Sequence, residues 1–465
     1  MKLPLKALSI LFLVNLSFTS FAQDLEGTWV GGITNLPLIF EFTEKGDSLS
    51  VKMQSPKQSK QFIDADLAIK KGDSIIIGLS PFKIKYKGVK KGKVIDGIFS
   101  QGAGSTPMRF EKKAYVPEEK LRPQTPKAPF PYQIEEVAFI NESAGGIKLA
   151  GTLTIPPGVK NPPVAILISG SGPQDRDETI YDHKPFLVLA DHLTKNGIAV
   201  LRYDDRGVAG SQGNFPTSTS TDFATDVLAA VNYLAKRGDV DKDKIGLIGH
   251  SEGGAIAPMV IAENPEKVAF FVSLAGIGVK GSEVLRTQLV RKAELDGVDQ
   301  EIIKWEAKMM QDLFETLDRY EDGDQEKIET AIRELIERYY DSGSDLQKAK
   351  YPKSTHQPLA AQFSSGWMAS FLRYDPTENL KKVTVPTLLL NGSLDYQVIP
   401  ELNLPPMEKW IKSNGNKDVT VMELEGLNHL FQTATTGNGT EYDTIEETIA
   451  PVVLNTITEW INERF

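Results

Sequence analysis

The segment Gly249-His250-Ser251-Glu252-Gly253 is the first place where the sequence indicates chemistry, and it follows an apolar run at 244–248. Glycines two positions before and two after a serine allow a sharp turn from a strand into a helix, which lifts the serine hydroxyl clear of the sheet. We therefore predict that Ser251 is a nucleophile. The side chain of His250, inside the same turn, is expected to point away from the site.

A serine hydroxyl is a poor nucleophile until a base removes its proton, so a histidine is required. The chain has five histidines. They are His183, His192, His250, His356 and His429. His429 comes just after the last predicted strand, 419–424, where a loop would present it to Ser251, and we predict that it is the base. His183 lies on a loop that could approach the pocket and is a candidate substrate-binding residue.

The base in turn needs a carboxylate that fixes its tautomer and stabilises its charge. Asp395 follows the apolar run 387–390 and precedes His429 in the chain, so it is the predicted acid. The alternatives are less well placed, since Asp375 lies at the end of an insertion and Glu425 lies on the His429 loop itself. The order serine, aspartate, histidine is the one found in α/β hydrolases.

Acyl transfer also needs two donors for the oxyanion of the tetrahedral intermediate. The backbone N–H of Glu252, at the start of the helix after the serine, is the first candidate. The second is expected from the loop after the apolar run 164–168, where Ser171 is the preferred donor and Gly172 the alternative.

The region that must position these residues alternates apolar runs with helical patterns from residue 134 to the C-terminus. Continuous apolar strands between helices predict a mostly parallel sheet with helices on both faces. The alternation is interrupted at about 279–380 by amphipathic, highly charged helices, and we expect this insertion to form a cap over the carboxyl ends of the strands. A closing helix is predicted at 445–461.

The N-terminal part has a different texture, with short alternating runs separated by turn pairs over residues 23–113. This pattern predicts a small all-β barrel or sandwich, with Trp29 as a candidate plug. A ligand-binding barrel and a packed accessory domain are both open interpretations. Five prolines mark 114–133 as a semi-rigid linker, so the second domain is predicted at 134–465.

Residues 1–22 read as a secretory signal, with Lys2 and Lys6 before an apolar run and a small-residue cleavage site ending at Ala22. Export to the periplasm or the outside of the cell is therefore expected. The chain has no cysteine, which excludes disulfides, thiolate metal sites and a cysteine nucleophile.

Charge and composition limit the partners. A net charge of −10 argues against nucleic acid as a partner and against attraction to an anionic membrane surface. No further segment is long and apolar enough to span a bilayer. Neither cysteine clusters nor histidines paired at ligand spacing occur, so we expect no metal and no cofactor. The expected partner is a small-molecule ester; the sequence leaves the oligomeric state open.

Five motifs together resemble the bacterial α/β-hydrolase esterases of the EstD-like carboxylesterase group. They are 169–177, 201–207, 249–254, 395–398 and 427–429, and the resemblance spans about residues 135–465. It implies a capped α/β-hydrolase fold, cleavage of short-acyl esters without a metal, and a triad of Ser251, Asp395 and His429. It also implies an aromatic pair near the acyl pocket, which here would be Trp367 and Phe371.

We therefore expect an exported serine carboxylesterase or acetylesterase that forms an acyl-enzyme on Ser251. A serine aminopeptidase or acyl-peptide hydrolase on the same fold is the nearest alternative. The second alternative is a non-catalytic binding protein in which the N-terminal domain is the receptor.

Overall fold

A computed structural model describes residues 25–33, 36–46, 48–56, 61–101, 104–116, 121–320 and 325–465. The predicted signal peptide lies outside the described residues. The chain divides into two compact units, residues 1–119 and residues 120–465.

The first unit contains one antiparallel sheet of nine strands among its described residues. The strands are β1 (Gly27–Ile33), β2 (Leu36–Lys45), β3 (Ser48–Gln54), β4 (Ile63–Asp64), β5 (Leu67–Lys71), β6 (Ser74–Leu79), β7 (Ile84–Lys91), β8 (Val94–Gln101) and β9 (Gly104–Lys112). Their order in the sheet is β4-β3-β2-β1-β9-β8-β7-β6-β5. Because the two outermost strands, β4 and β5, follow each other directly in the chain, the sheet must curl until its edges meet.

The inside of this curled sheet is filled by side chains. Phe40 stacks on Phe110 with ring centroids 4.4 Å apart, and Tyr86 lies against both rings. Trp29 is fully buried in the same cluster and donates its indole N–H to the carbonyl of Leu25. The predicted all-β domain is confirmed, and these contacts describe a packed core.

The second unit is built on an eight-stranded sheet. Its strands are β10 (Gln133–Asn141), β11 (Ile147–Ile155), β12 (Val164–Ile168), β13 (Ala199–Tyr203), β14 (Ile245–His250), β15 (Phe270–Leu274), β16 (Thr387–Gly392) and β17 (Val419–Leu424). The order is β10-β11-β13-β12-β14-β15-β16-β17. Strand β11 pairs antiparallel with both neighbours, β10 and β13, whereas every other pair in the sheet, from β13–β12 to β16–β17, is parallel.

The second unit also contains helices, some of which cover both faces of this sheet. They are α1 (Pro185–Lys195), α2 (Ser220–Leu234), α3 (Gly253–Glu263), α4 (Gly281–Leu295), α5 (Gln300–Leu317), α6 (Gln325–Ser342), α7 (Asp345–Lys350), α8 (Lys353–Phe363), α9 (Gly366–Arg373), α10 (Thr377–Leu380), α11 (Pro400–Lys412) and α12 (Pro451–Asn462). Helices α2, α3 and α11 share one core with the sheet, and α1 and α12 share the other. The predicted α/β-hydrolase fold is confirmed.

Two details of the second unit refine the prediction. The closing helix α12 begins at Pro451 and not at residue 445, because proline suits the first position of a helix, where its missing N–H is not needed. Residues 121–133 of the predicted linker belong to this second unit, in which Gln124 donates a hydrogen bond to the carbonyl of Ile449 at 2.7 Å.

The order of elements places the insertion where it can cover the sheet. Helices α4 to α10 all lie in the chain between β15 and β16, whose carboxyl ends meet at one edge. Five of them, α4 to α6, α8 and α9, share a hydrophobic core of their own. None of the helices in the described part of the chain is long and apolar enough to cross a membrane.

Candidate active site

The turn between β14 and α3 holds Ser251 in a conformation that few residues adopt. Its φ is +54°, and its backbone N–H is bonded to the carbonyl of Leu274 at the end of β15. A side chain at Gly249 would come within 2.1 Å of the Gly253 carbonyl oxygen, and one at Gly253 within 2.2 Å of the Ile168 carbonyl oxygen. The close approach of three backbone segments therefore explains both glycines of the motif.

Asp395 and His429 form a buried hydrogen-bonded pair. Asp395 Oδ2 lies 2.7 Å from His429 Nδ1, and the two residues are 3% and 4% exposed. The other oxygen, Oδ1, accepts the backbone N–H groups of Gln397 and Val398 at 2.8 and 2.9 Å. Because an ionised carboxylate only accepts, Nδ1 of His429 carries the hydrogen and Nε2 of the neutral ring is left as the acceptor.

The loop that carries His429 is held by Asn428. Its buried side-chain oxygen accepts the backbone N–H groups of Leu430 and Gln432, both at 3.0 Å. The loop is also tied to the Asp395 loop, where the Leu394 N–H donates to the Leu427 carbonyl at 2.9 Å. Asp395 and His429 are thus carried by two loops that follow neighbouring strands, β16 and β17.

A cavity of about 250 Å³ brings Ser251 and His429 together, because both line it. Within the described residues no hydrogen bond joins the Ser251 hydroxyl to the His429 ring; such bonds are often long in unliganded sites and shorten when substrate binds. The described residues also contain no group of three or more acidic, histidine or cysteine side chains placed to hold a metal ion.

The loop after β12 forms another wall. Ser171 lines the cavity together with Glu252, whereas Gly172 is not among its lining residues. The loop is fixed by Asp205, which accepts the Ser169 hydroxyl at 2.8 Å and the Gln174 N–H at 3.0 Å. Burial raises the pKa of Asp205 to about 7.

The charged segment 202–206 orders loops through ion pairs. Arg176 forms an ion pair with Asp204 at 2.8 Å, and Arg206 forms one with Asp226 at 2.6 Å. Arg202 pairs with Asp177 in the same way.

The Glu252 carboxyl is buried at the wall of the cavity. It accepts the hydroxyl of Ser220 at 2.5 Å and the indole N–H of Trp367 at 3.1 Å. Burial raises the pKa of Glu252 more than the hydrogen bonds from Ser220, Ser171 and Trp367 lower it, so the net shift is upward.

The insertion supplies the aromatic side of the cavity. Trp367 and Phe371, one turn apart on α9, line it with their rings stacked at 5.7 Å between centroids. Val284, Leu285 and Gln288 of α4 lie on the same wall. Both aromatic residues therefore line the same cavity as Ser251.

His183 does not line this cavity, contrary to its expected place beside the substrate. The residue is 1% exposed, and its ring bonds to the hydroxyl of Thr448, to the carbonyl of Tyr442 and to the side chain of Gln432. These partners hold the ring inside the protein, next to the loop that carries His429.

His250 also departs from the expectation, because it lines the cavity and does not point away. Its Nδ1 is 2.9 Å from Glu178 Oε1, and its Nε2 is 3.1 Å from the backbone carbonyl of His429. Glu178 was not among the residues predicted from the sequence. Its position beside the acidic and basic residues 175–177 was the only local signal.

Comparison with known proteins gives one curated relative of known activity. Esterase EstD of Thermotoga maritima is 26% identical over 284 residues, which cover 61% of this chain. The match spans 58% of the length of that relative, less than two thirds. It agrees with the resemblance seen in the motifs.

Solved structures of similar fold include two esterases. The Pyrococcus furiosus esterase Pf2001 has a TM-score of 0.44 and 14% identity, covering 74% of this chain and 98% of its own. Est1E from Butyrivibrio proteoclasticus has a TM-score of 0.39 and 16% identity, covering 70% of this chain and 98% of its own.

The sequence model of the Hydrolase_4 family, described as serine aminopeptidase, S33, matches residues 184–433. This segment is more than half of the chain and contains Ser251, Asp395 and His429. The chain therefore belongs to this family of α/β hydrolases.

Proposed function

We propose that the protein is a serine hydrolase that cleaves short-acyl carboxylic esters through an acyl-enzyme on Ser251. The observation that carries the proposal is the buried Asp395–His429 pair at 2.7 Å, which lies at the cavity that Ser251 lines from its strained turn. The esterase relative supports the ester substrate.

In this mechanism the Ser251 hydroxyl oxygen attacks the ester carbonyl carbon while Nε2 of His429 takes its proton. The tetrahedral intermediate then expels the alcohol, whose oxygen receives that proton from His429. Water attacks the acyl-enzyme in the same way, its proton passing to His429 and then to Ser251 as the acid is released. Asp395 holds the imidazole in the required tautomer and stabilises its charge throughout.

The oxyanion is stabilised by the backbone N–H groups of Glu252 and Ser171. Glu252 stands at the N-terminus of α3, where backbone N–H groups and the helix dipole favour negative charge. The lining of the cavity supports Ser171 rather than Gly172 as the second donor.

The size of the cavity supports a short acyl group. Its volume of about 250 Å³ lies just below the usual range of small-molecule pockets, roughly 300–1,000 Å³. Trp367 and Phe371 give it an apolar wall on which a small acyl chain can pack.

The test is hydrolysis of p-nitrophenyl acetate and its longer acyl homologues. Turnover should be highest for the shorter acyl groups, and Ser251→Ala should lower it by several orders of magnitude while the circular dichroism spectrum is unchanged. A folded Ser251→Ala protein with near-wild-type turnover would overturn the proposal.

An aminopeptidase is the second candidate. The family description names that activity. The buried Glu252 carboxyl lines the cavity and could bind the α-amino group of a peptide substrate. An aminoacyl p-nitroanilide separates the two, because an esterase should turn it over far more slowly than the acetate ester.

Export is part of the proposal and depends on residues 1–22, which lie outside the described part of the chain. The mass of the protein recovered from a bacterial host should correspond to an N-terminus at Gln23. Recovery of the full-length chain from the cytoplasm alone would contradict export.

A further inference from the structure

A buried ion pair lies beside the proposed relay of Ser251, His429 and Asp395, and it has no part in the reaction proposed above. Glu178 and His250 are 5% and 7% exposed, and Oε1 lies 2.9 Å from Nδ1. Glu178 also has a φ of +52°, a conformation that is strained for a residue with a side chain. Buried charges and backbone strain are both unfavourable, and they are commonly retained at functional sites.

The partners of His250 fix its protonation. Nε2 is 3.1 Å from the carbonyl oxygen of His429, which can only accept, so Nε2 carries a hydrogen. Nδ1 faces a carboxylate, which also only accepts when ionised. Burial lowers the pKa of His250, but the charge of Glu178 and the hydrogen bonds to Glu178 and to the His429 carbonyl outweigh it, and the pKa is raised. Both ring nitrogens therefore face acceptors, an arrangement that favours a protonated ring donating in both directions.

The pair connects the three segments that carry the reacting groups. Glu178 Oε1 accepts the backbone N–H of Gly170 at 2.7 Å, and Gly170 precedes the candidate oxyanion donor Ser171. His250 directly precedes Ser251 in the elbow. Its Nε2 reaches the backbone of His429. One chain of hydrogen bonds thus runs from the loop after β12, here called the oxyanion loop, through the turn that holds Ser251 to the backbone of His429.

These segments approach each other closely at Gly170. A Cβ there would lie 3.1 Å from Ser251 Cβ and 3.5 Å from His250 Nδ1. The loop, the nucleophile and the ion pair are therefore in mutual contact, so a shift in one must move the others.

We propose that Glu178 and His250 are positioning residues, whose ion pair holds the oxyanion loop and the His429 backbone in register with Ser251. The inference rests on the proposed function, since it concerns the alignment of that relay. The two side chains act through the Gly170 N–H and the His429 carbonyl.

The decisive variant is Glu178→Gln, which keeps the size of the side chain and an acceptor for Gly170 but removes the charge. We expect kcat for p-nitrophenyl acetate to fall about 10- to 100-fold, the range seen when groups that orient a reactive ligand are changed, with KM altered less than about threefold. His250→Gln should act similarly. The kcat of the double variant should be little lower than that of the less active single variant, because the two residues act as one unit.

Asp226→Asn is the matched control, since Asp226 forms a buried ion pair with Arg206 that does not line the cavity. Asp226→Asn should lower the melting temperature about as much as Glu178→Gln does, but it should leave kcat unchanged. An unchanged kcat in Glu178→Gln, or an equal loss in Asp226→Asn, would overturn the positioning role. Should Glu178→Gln fail to fold, His250→Gln provides the same comparison.

The rate at which a fluorophosphonate labels Ser251 separates this inference from the proposed function. Labelling needs an aligned relay but no particular substrate. If the wild-type protein is neither labelled nor active on esters, the proposed function fails. If the wild type is labelled and both variants are labelled at its rate, the positioning inference alone fails.

Discussion

The interiors of the two compact units differ in the kind of side chain they bury. Among the described residues of the first unit, Lys90 is the only charged side chain in the interior, and its ammonium lies 5.8 Å from the centre of the Trp29 ring. The second unit buries carboxylates and histidines around one cavity. The cavity is lined by Glu178, His250, Glu252 and His429, and Asp395 is bonded to His429. The same unit also buries the Arg206–Asp226 ion pair away from the cavity.

The contrast separates residues kept for stability from residues kept for chemistry. Apolar burial stabilises a fold at about 25 cal/mol per Å², whereas a buried charge costs free energy unless it is paired. Even a paired buried charge adds little stability, so stability alone poorly explains a cluster of buried ionisable side chains at one cavity. The four predictions that follow would break or sharpen this distinction.

The largest effect is expected for Asp395→Asn. The amide can still accept the backbone N–H groups of Gln397 and Val398, but it no longer enforces the tautomer of His429. Turnover of p-nitrophenyl acetate should fall about 10³- to 10⁴-fold, as in other serine hydrolases with this change. A folded variant with turnover close to wild type would show that this buried charge has no catalytic part.

In the first unit, Phe40→Ala should act on stability alone. Removing a ring that stacks on Phe110 leaves a cavity and should cost about 3–5 kcal/mol of unfolding free energy in that unit. Hydrogen exchange at β1, β2 and β9 should accelerate, while kcat measured below the transition stays at the wild-type value. A loss of kcat with these strands still protected would break the distinction.

The next prediction concerns pH. Because the pKa of buried Asp205 is about 7, the folded protein retains a proton that an unfolded chain releases near pH 4. The contribution of this carboxyl to stability is therefore full below about pH 4 and declines as the pH rises to about 7.

Denaturant unfolding of Asp205→Asn should reveal this contribution. From pH 4 to 7 the wild type should lose stability relative to the variant, by on the order of a few kcal/mol. The same change at the exposed Asp375 should leave the pH dependence as in the wild type. Parallel curves for Asp205→Asn and wild type would contradict the assignment.

The smallest effect is expected for Trp367→Phe, which keeps an aromatic ring at the cavity but removes the hydrogen bond to Glu252. Loss of about 1 kcal/mol should raise KM roughly fivefold with little change in kcat. Trp410→Phe, outside the cavity lining, is the control. A larger effect on kcat than on KM would place Trp367 in the chemistry and not in substrate binding.

The sequence was informative where position in the chain determines position in space. Ser251, Asp395 and His429 follow strands of a parallel sheet, and the carboxyl ends of such strands lie at one edge, so their convergence could be expected. The glycines around Ser251 mark a backbone conformation that allows few alternatives. The start of α12 at Pro451 was also readable from the proline, although the apolar pattern suggested an earlier start.

Contacts between distant loops were not readable in this way. Glu178 and His250 are separated by 72 positions, and neither residue's neighbours indicate the other. His183 does lie on a loop, but it is buried and does not line the cavity. Its burial depends on Thr448, Gln432 and the Tyr442 carbonyl, which lie in a later part of the chain. Such pairings need the fold before they can be seen.

The wall of the cavity that carries Trp367 and Phe371 comes from a segment inserted between two strands, with a hydrophobic core separate from that of the sheet. Exchange of this segment between relatives would therefore change the shape of the cavity while the loops bearing Asp395 and His429 keep their own anchors. The insertion can then change, by evolution or by grafting, and alter which substrates fit without altering the residues that the sheet loops carry.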